Sequence, residues 1–176
     1  MFQKAWTIGH STRSIEEFLK LLRSEHVTAV ADVRRFPGSR RCPHFNRDAM
    51  AAVLQQAGLS YRHFPALGGR RTSEQGPSPN TGWRVAAFRA YADYMQSRDF
   101  QEGFDELRKM SESESTAIMC AEALPWRCHR RLIADQLTAR GWCVLDIVGA
   151  HDVREHALPP FARVNDHIVT YPGEEP

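Results

Sequence analysis

The run Thr116–Arg131 (T-A-I-M-C-A-E-A-L-P-W-R-C-H-R-R) constrains the fold of this chain more than any other stretch. Its first five residues suit a short buried strand ending at Cys120. A tight loop closed by Pro125 follows, and the pattern beyond it predicts a helix from about Arg127 to Arg140. Strand, loop and helix in that order build a parallel sheet. In such open sheets, ligands bind just outside the carboxyl ends of the strands. A helix N-terminus there adds unpaired N–H groups and partial positive charge. Cys120 and Glu122 fall at the strand end, and Arg127, Cys128, His129, Arg130 and Arg131 fall in the predicted first helical turn.

The same unit recurs along the chain. Trp6–Ile8 is a short apolar run ending in Gly9-His10-Ser11-Thr12, and Ser14 with Glu17 has the spacing of a capping box. Ile15, Phe18, Leu19 and Leu22 then recur at helical spacing. Val27–Val33 is apolar enough for a central parallel strand, with Asp32 and Arg34 at its carboxyl end. The loop after it, Arg35–His44, carries Ser39, Arg40 and Arg41 between two prolines. Asn46 is suited to cap a helix running to Gln56, Gly58 is its C-terminal stop, and Leu59–Phe64 is a third strand containing Tyr61.

Leu67-Gly68-Gly69-Arg70-Arg71 opens a polar stretch to Gly82, a length typical of lids and binding loops. Trp83–Met95 is helical, with Phe88, Tyr91, Ala92 and Met95 as a core stripe. Asp99 and Glu102 are placed to cap a further helix to Met110. Gly141 ends the helix of the opening run, Cys143–Val148 is the last strand of the sheet, and Asp166–Thr170 suits an edge strand. The expected fold is a single α/β domain over residues 1–176: a three-layer, Rossmann-like, doubly wound sandwich with about five mostly parallel strands.

Composition narrows function only a little. A net charge of +2 is too small for general nucleic-acid affinity, yet the 23 basic residues are 20 Arg and only 3 Lys. Arginine offers a planar fork matched to phosphate and carboxylate, although a GC-rich genome also raises its count everywhere. No apolar run reaches the roughly 20 residues of a membrane span, and no signal peptide is evident. No membrane partner is therefore expected, and the cytoplasm is the default compartment. Four cysteines in such a chain read as thiols rather than a disulfide framework.

The motifs T-I-G-H-S (Thr7–Ser11), D-V-R (Asp32–Arg34), P-G-S-R (Pro37–Arg40), Y-R-H (Tyr61–His63), L-G-G (Leu67–Gly69) and C-A-E…P-W-R-C-H-R (Cys120–Arg130) occur in this order. With them the chain resembles the prokaryotic family catalogued as domain of unknown function 488. The resemblance implies a small three-layer α/β domain whose motif residues share one rim. It brings no reaction, substrate or cofactor with it.

Several chemistries compete for that rim. Cys128 among Arg127, His129 and Arg130 has surroundings that favour a reactive thiolate. The spacing Cys120 to Arg127 is C-x6-R rather than the C-x5-R of phosphatase loops, and Glu122 within an anion cradle is unfavourable; both argue against a phosphatase. Cys120 and Cys128 across the loop are within the reach of a redox pair, but no C-x-x-C is present. Both are equally readable as small buried residues. No ligand pair has zinc spacing, and adjacent helical residues such as Cys128 and His129 point apart, so no metal is expected.

Anion binding has most support. Ser11, Arg34, Ser39, Arg40, Tyr61, Gly68, Gly69, Arg127, His129 and Arg130 are the candidate binding residues. Glu122, Asp32 and His10 are candidate acid/base groups, with Cys120 or Cys128 as a thiol. The expected ligand is a small phosphate-bearing or nucleotide-like anion. The competing class is a non-enzymatic module touching nucleic acid through Arg35, Arg40, Arg41, Arg70 and Arg71.

Overall fold

Side-chain alternation in the strands explains the architecture, because successive residues point to opposite faces of a sheet. In the computed structural model, which describes residues 3–72 and 76–173, Trp6, Val30, Ala117 and Met119 face one core. Ala5, Ala31 and Ile118 face the other. Both faces are therefore apolar, as a parallel sheet covered by helices requires.

The strands are β1 (Lys4–Gly9), β2 (Ala29–Asp32), β3 (Ser60–His63), β4 (Thr116–Cys120), β5 (Cys143–Gly149) and β6 (Asp152–Glu155). They form one sheet in the order β3-β2-β4-β1-β5-β6, parallel except for β6, which folds back antiparallel on β5. Helices α1 (Ile15–Ser24) and α2 (Arg47–Gln56) cover one face through Phe18, Leu22, Met50 and Leu54. Helices α3 (Ala86–Tyr94), α4 (Arg98–Ser113) and α5 (Arg130–Thr138) cover the other through Tyr91, Phe100, Phe104, Leu132 and Ile133. The result is the expected three-layer α/β sandwich, with one strand more than expected. No helix of the described residues is long and apolar enough to cross a membrane.

The capping box forms as the spacing predicts: Ser14 accepts from the Glu17 N–H, and Glu17 accepts from the Ser14 N–H. Four local expectations are corrected. Asn46 precedes α2, but its Oδ1 accepts from the Ser39 N–H at 2.6 Å instead of capping the helix. Helix α3 begins at Ala86, so Trp83 lies before it. Ser97, not Asp99, caps α4 by accepting from the Phe100 N–H. The strand expected at the sheet edge is instead β8 (Ile168–Thr170), paired with β7 (Arg163–Asn165) in a separate ribbon. Asp166 and His167 between them both take positive φ, the turn geometry that suits the twist of a two-residue hairpin. Within the long polar loop, Ser73, Glu74 and Gln75 lie outside the described residues.

Topology selects the site. The adjacent central strands β2, β4 and β1 end in parallel at Asp32, Cys120 and Gly9. The segments leaving all three therefore emerge at one rim.

Candidate functional site

The loop after β4 is the centrepiece of that rim, and three contacts fix it. Strand β1 approaches so closely that a Cβ at Gly9 would lie 1.8 Å from the Glu122 carbonyl oxygen, so only glycine fits there. Beyond Gly9, the His10 and Ser11 N–H groups donate to the Cys120 and Ala121 carbonyls, each at 2.9 Å. From the far side, Arg130 is fully buried and donates to the carbonyls of Glu122 and Ala123. Its Nε also reaches Thr7 Oγ1 at 3.4 Å. Arg130 is thus a strut under the loop rather than a cation facing a ligand, which corrects its expected place on the rim.

The segment after Pro125 also differs from expectation. Pro125–Arg127 forms a single 3-10 turn, Cys128 follows in extended conformation, and α5 starts only at Arg130. Cys128 and His129 therefore precede the helix, and the argument that neighbours on a helix diverge does not apply to them. The His129 Nε2 donates to the Val33 carbonyl at 3.0 Å. A carbonyl only accepts, so the neutral ring carries its proton on Nε2 and turns the Nδ1 lone pair the other way. That lone pair meets Cys128 Sγ at 3.7 Å and Cys120 Sγ at 3.9 Å. The three ligand atoms lie within 4.8 Å of one another. Gly69 makes room for the ring, since a Cβ there would sit 2.8 Å from His129 Nδ1.

The two thiols are not equivalent. Cys128 is buried and Cys120 is partly exposed. The pairing of the two thiols holds Cys128 well below the ordinary thiol pKa, with the Arg130 charge adding to the effect. The same pairing, together with burial, pushes Cys120 well above it. Trp126 is 42% exposed and lies beneath the Arg154 guanidinium. Cys42, in the loop after β2, is 7% exposed with its thiol against the Ser11 carbonyl.

A second constellation stands beside the first. Asp32 is fully buried and accepts from the Arg34 backbone N–H, Nε (2.9 Å) and Nη2 (2.7 Å), and from the Tyr61 hydroxyl (2.6 Å). Burial and this bond push the Tyr61 hydroxyl above the usual phenol range. Asp32 is occupied as an anchor for Arg34, with no lone pair directed at a ligand. Arg34 Nη1 meets His10 Nε2 at 3.2 Å, while His10 Nδ1 donates to the Ser11 carbonyl at 2.8 Å. Burial lowers the His10 pKa to about 4, and the Arg34 charge assists. His10 is therefore neutral at physiological pH, with both ring nitrogens engaged and its ring stacked on Phe45.

Both constellations line one cavity of about 580 Å³. Of the candidate residues, His10, Arg34, Ser39, Gly69, Cys120, Glu122, Arg127, Cys128 and His129 reach its wall. Asp32, Tyr61 and Arg130 lie behind it, Gly68 packs on the Arg35 backbone, and Ser11 and Arg40 are outside it. Sequence reasoning missed the wall that α3 supplies, where Ala87, Phe88 and Tyr91 close the cavity. The Phe88–Tyr91 spacing was readable, but as a core stripe. Tyr91 does serve the core; its hydroxyl donates to the Leu67 carbonyl, and its ring lies 5.0 Å from His129.

The family model described as "Domain of unknown function DUF488" matches residues 14–137. Neither the curated proteins nor the solved structures contain a match to this chain. The matched segment holds every cavity-lining residue except His10 and covers more than half of the chain, which therefore belongs to the DUF488 family.

Proposed function

We propose that the rim cavity binds a small anion, phosphate-bearing or nucleotide-like. The observation that carries this reading is the charge of the wall: four guanidiniums (Arg34, Arg35, Arg70, Arg127) stand against one carboxylate, Glu122. Among the described residues, no hydrogen bond or ion pair holds the Arg127 guanidinium, which leaves its full donor capacity for a ligand. Arg34 is already fixed by Asp32, so ordering it on binding costs little entropy. Phe36, 68% exposed, lies beside the Arg35 guanidinium at the cavity. A planar apolar face there suits a nucleobase better than a bare phosphate needs. Of the acid/base candidates, Glu122 alone combines an exposed carboxylate with a place in the wall, so acid/base chemistry in this cavity would fall to it.

A second reading, contact with nucleic acid, draws on the exposed Arg40 and Arg41 in the Phe36 loop. Arg71 weakens it, because its guanidinium is tied to the Pro65 and Gly68 carbonyls and lies 3.9 Å over Tyr94.

Titration calorimetry with pyrophosphate and adenosine monophosphate separates these readings. The expected result is one saturable site, weakened about tenfold in Arg127→Ala through loss of roughly 1.4 kcal/mol of charge-assisted bonding. Arg127 is exposed, so the thermal midpoint should stay unchanged. Absence of saturable anion binding, with tight and steeply salt-dependent binding of a single-stranded oligonucleotide instead, refutes the small-anion reading.

A further inference from the structure

We infer that Cys120 Sγ, Cys128 Sγ and His129 Nδ1 form a binding site for a thiophilic divalent cation, zinc being the best fit. This goes beyond the anion reading and does not depend on it. Three independent features converge. First, the ligand atoms are already gathered, with sulfur–nitrogen separations of 3.7 and 3.9 Å and all three atoms within 4.8 Å. Tetrahedral zinc, with bonds of about 2.3 Å to sulfur and 2.0–2.1 Å to nitrogen, needs neighbouring ligand atoms about 3.5–3.8 Å apart. The sulfur–nitrogen separations already lie within a few tenths of an ångström of that range, and the sulfur–sulfur separation within about 1 Å of it.

Second, the imidazole is pre-oriented. Metal-bound histidines commonly donate their other N–H to a carbonyl, which fixes the tautomer and raises ligand basicity. His129 does so through the Val33 carbonyl, and Gly69 clears the space its ring occupies. Third, the loop carrying Cys120 is clamped by Arg130 and by the close approach of Gly9. The ligands are therefore held before an ion arrives, as a precise metal site requires.

The electrostatics fit as well. A bare dication beside Arg127 and Arg34 would be repelled, but two thiolates leave the bound ion neutral. All three ligands line the cavity, so an ion held by them keeps its remaining position open on the cavity side. Three protein ligands with one open position is the pattern of zinc that meets a ligand rather than zinc that only cross-links a fold.

Cobalt(II) is the probe, because tetrahedral thiolate coordination produces charge-transfer bands and intense visible absorption. The full chain, reduced and stripped with a chelator, is expected to take up one equivalent of cobalt with both signatures, displaced by one equivalent of zinc. Losing only an outer partner of a metal ligand typically costs 10–100-fold in affinity. Cys120→Ala, Cys128→Ala and His129→Ala should each lose about 100-fold or more, whereas Cys42→Ala and Cys143→Ala should be unchanged. Arg127→Ala should keep the one-equivalent stoichiometry even if anion binding is lost, so the two readings fail separately. In folded wild-type protein, zinc should shield Cys120 and Cys128 from alkylation while Cys143 still reacts. No saturable one-equivalent uptake by wild-type protein overturns the proposal, as does cobalt absorption that survives both Cys120→Ala and Cys128→Ala.

Discussion

Two buried histidines with opposite shifts should give this chain a stability optimum near pH 6.5. His156 lies between Asp135 (Nε2 to Oδ1, 2.7 Å) and Asp146 (Nδ1 to Oδ2, 3.2 Å), its side chain 6% exposed. Burial opposes its charge, but the two carboxylates outweigh burial and raise its pKa from 6.5 to about 9. Its contribution is complete below the unfolded value of 6.5 and is lost as pH rises towards 9. At about 1.36 kcal/mol per tenfold change in proton affinity, that contribution is roughly 3 kcal/mol. His10 runs the other way. Its pKa is lowered to about 4, so its contribution is complete above 6.5 and is lost as pH falls towards 4. It too is worth roughly 3 kcal/mol at most.

Urea denaturation of the metal-free protein in a pH series should therefore trace a bell, with limbs falling by up to about 3 kcal/mol on each side. His10→Gln cannot be protonated and should flatten the acidic limb from pH 6.5 to about 5, leaving the alkaline limb in place. Proton NMR provides the direct check: one histidine titrating near 9 and one near 4. Stability rising steadily to pH 9, or an acidic limb unchanged in His10→Gln, would show that the ion triad or the neutral imidazole has been misassigned.

Two further changes probe the loop itself. Arg130→Met removes the strut and leaves the partly buried Glu122 and Ala123 carbonyls without their guanidinium donor, so denaturant unfolding should show a loss of roughly 2–4 kcal/mol. Gly69→Ala presses a methyl group against the His129 ring, so it should weaken cobalt binding about tenfold or more with little change in secondary structure by circular dichroism.

Much of the fold is legible because it depends on local chemistry. The Ser14/Glu17 box lies three residues apart in sequence and forms in the structure. The apolar run Val27–Val33 needs both faces buried and obtains them from Ala29 to Val33. What escapes is set by distant partners. Asn46 has the composition of a cap, but the Ser39 N–H, seven residues earlier, claims its oxygen. Arg130 and Arg127 are the same residue type three positions apart. One is buried under carbonyls and the other lines the cavity, a difference decided by how closely β1 passes the loop. The His156 triad was legible only as a hint: Asp146 interrupts the apolar run of β5, and a buried carboxylate demands a partner that lies ten residues away.

The metal argument turns on the same lesson. Spacing arguments against a metal site assume that local secondary structure sets where side chains point, and zinc motifs with short fixed spacings obey it. Here the helix starts three residues later than the pattern suggests, at Arg130, because Pro125 opens a separate turn and Cys128 runs extended. His129 is then free to reach back to the Val33 carbonyl across the rim. A contact 96 residues distant in sequence thus orients the imidazole, and no local motif encodes it. The same bond ties the thiol pair to the end of β2, next to the segment that carries Arg34. An ion at the thiols and an anion at the guanidiniums would therefore meet across a single cavity wall built from the ends of β1, β2 and β4. Such pairing of an open metal position with fixed cationic donors is what polarisation of a bound phosphate or carboxylate oxygen requires.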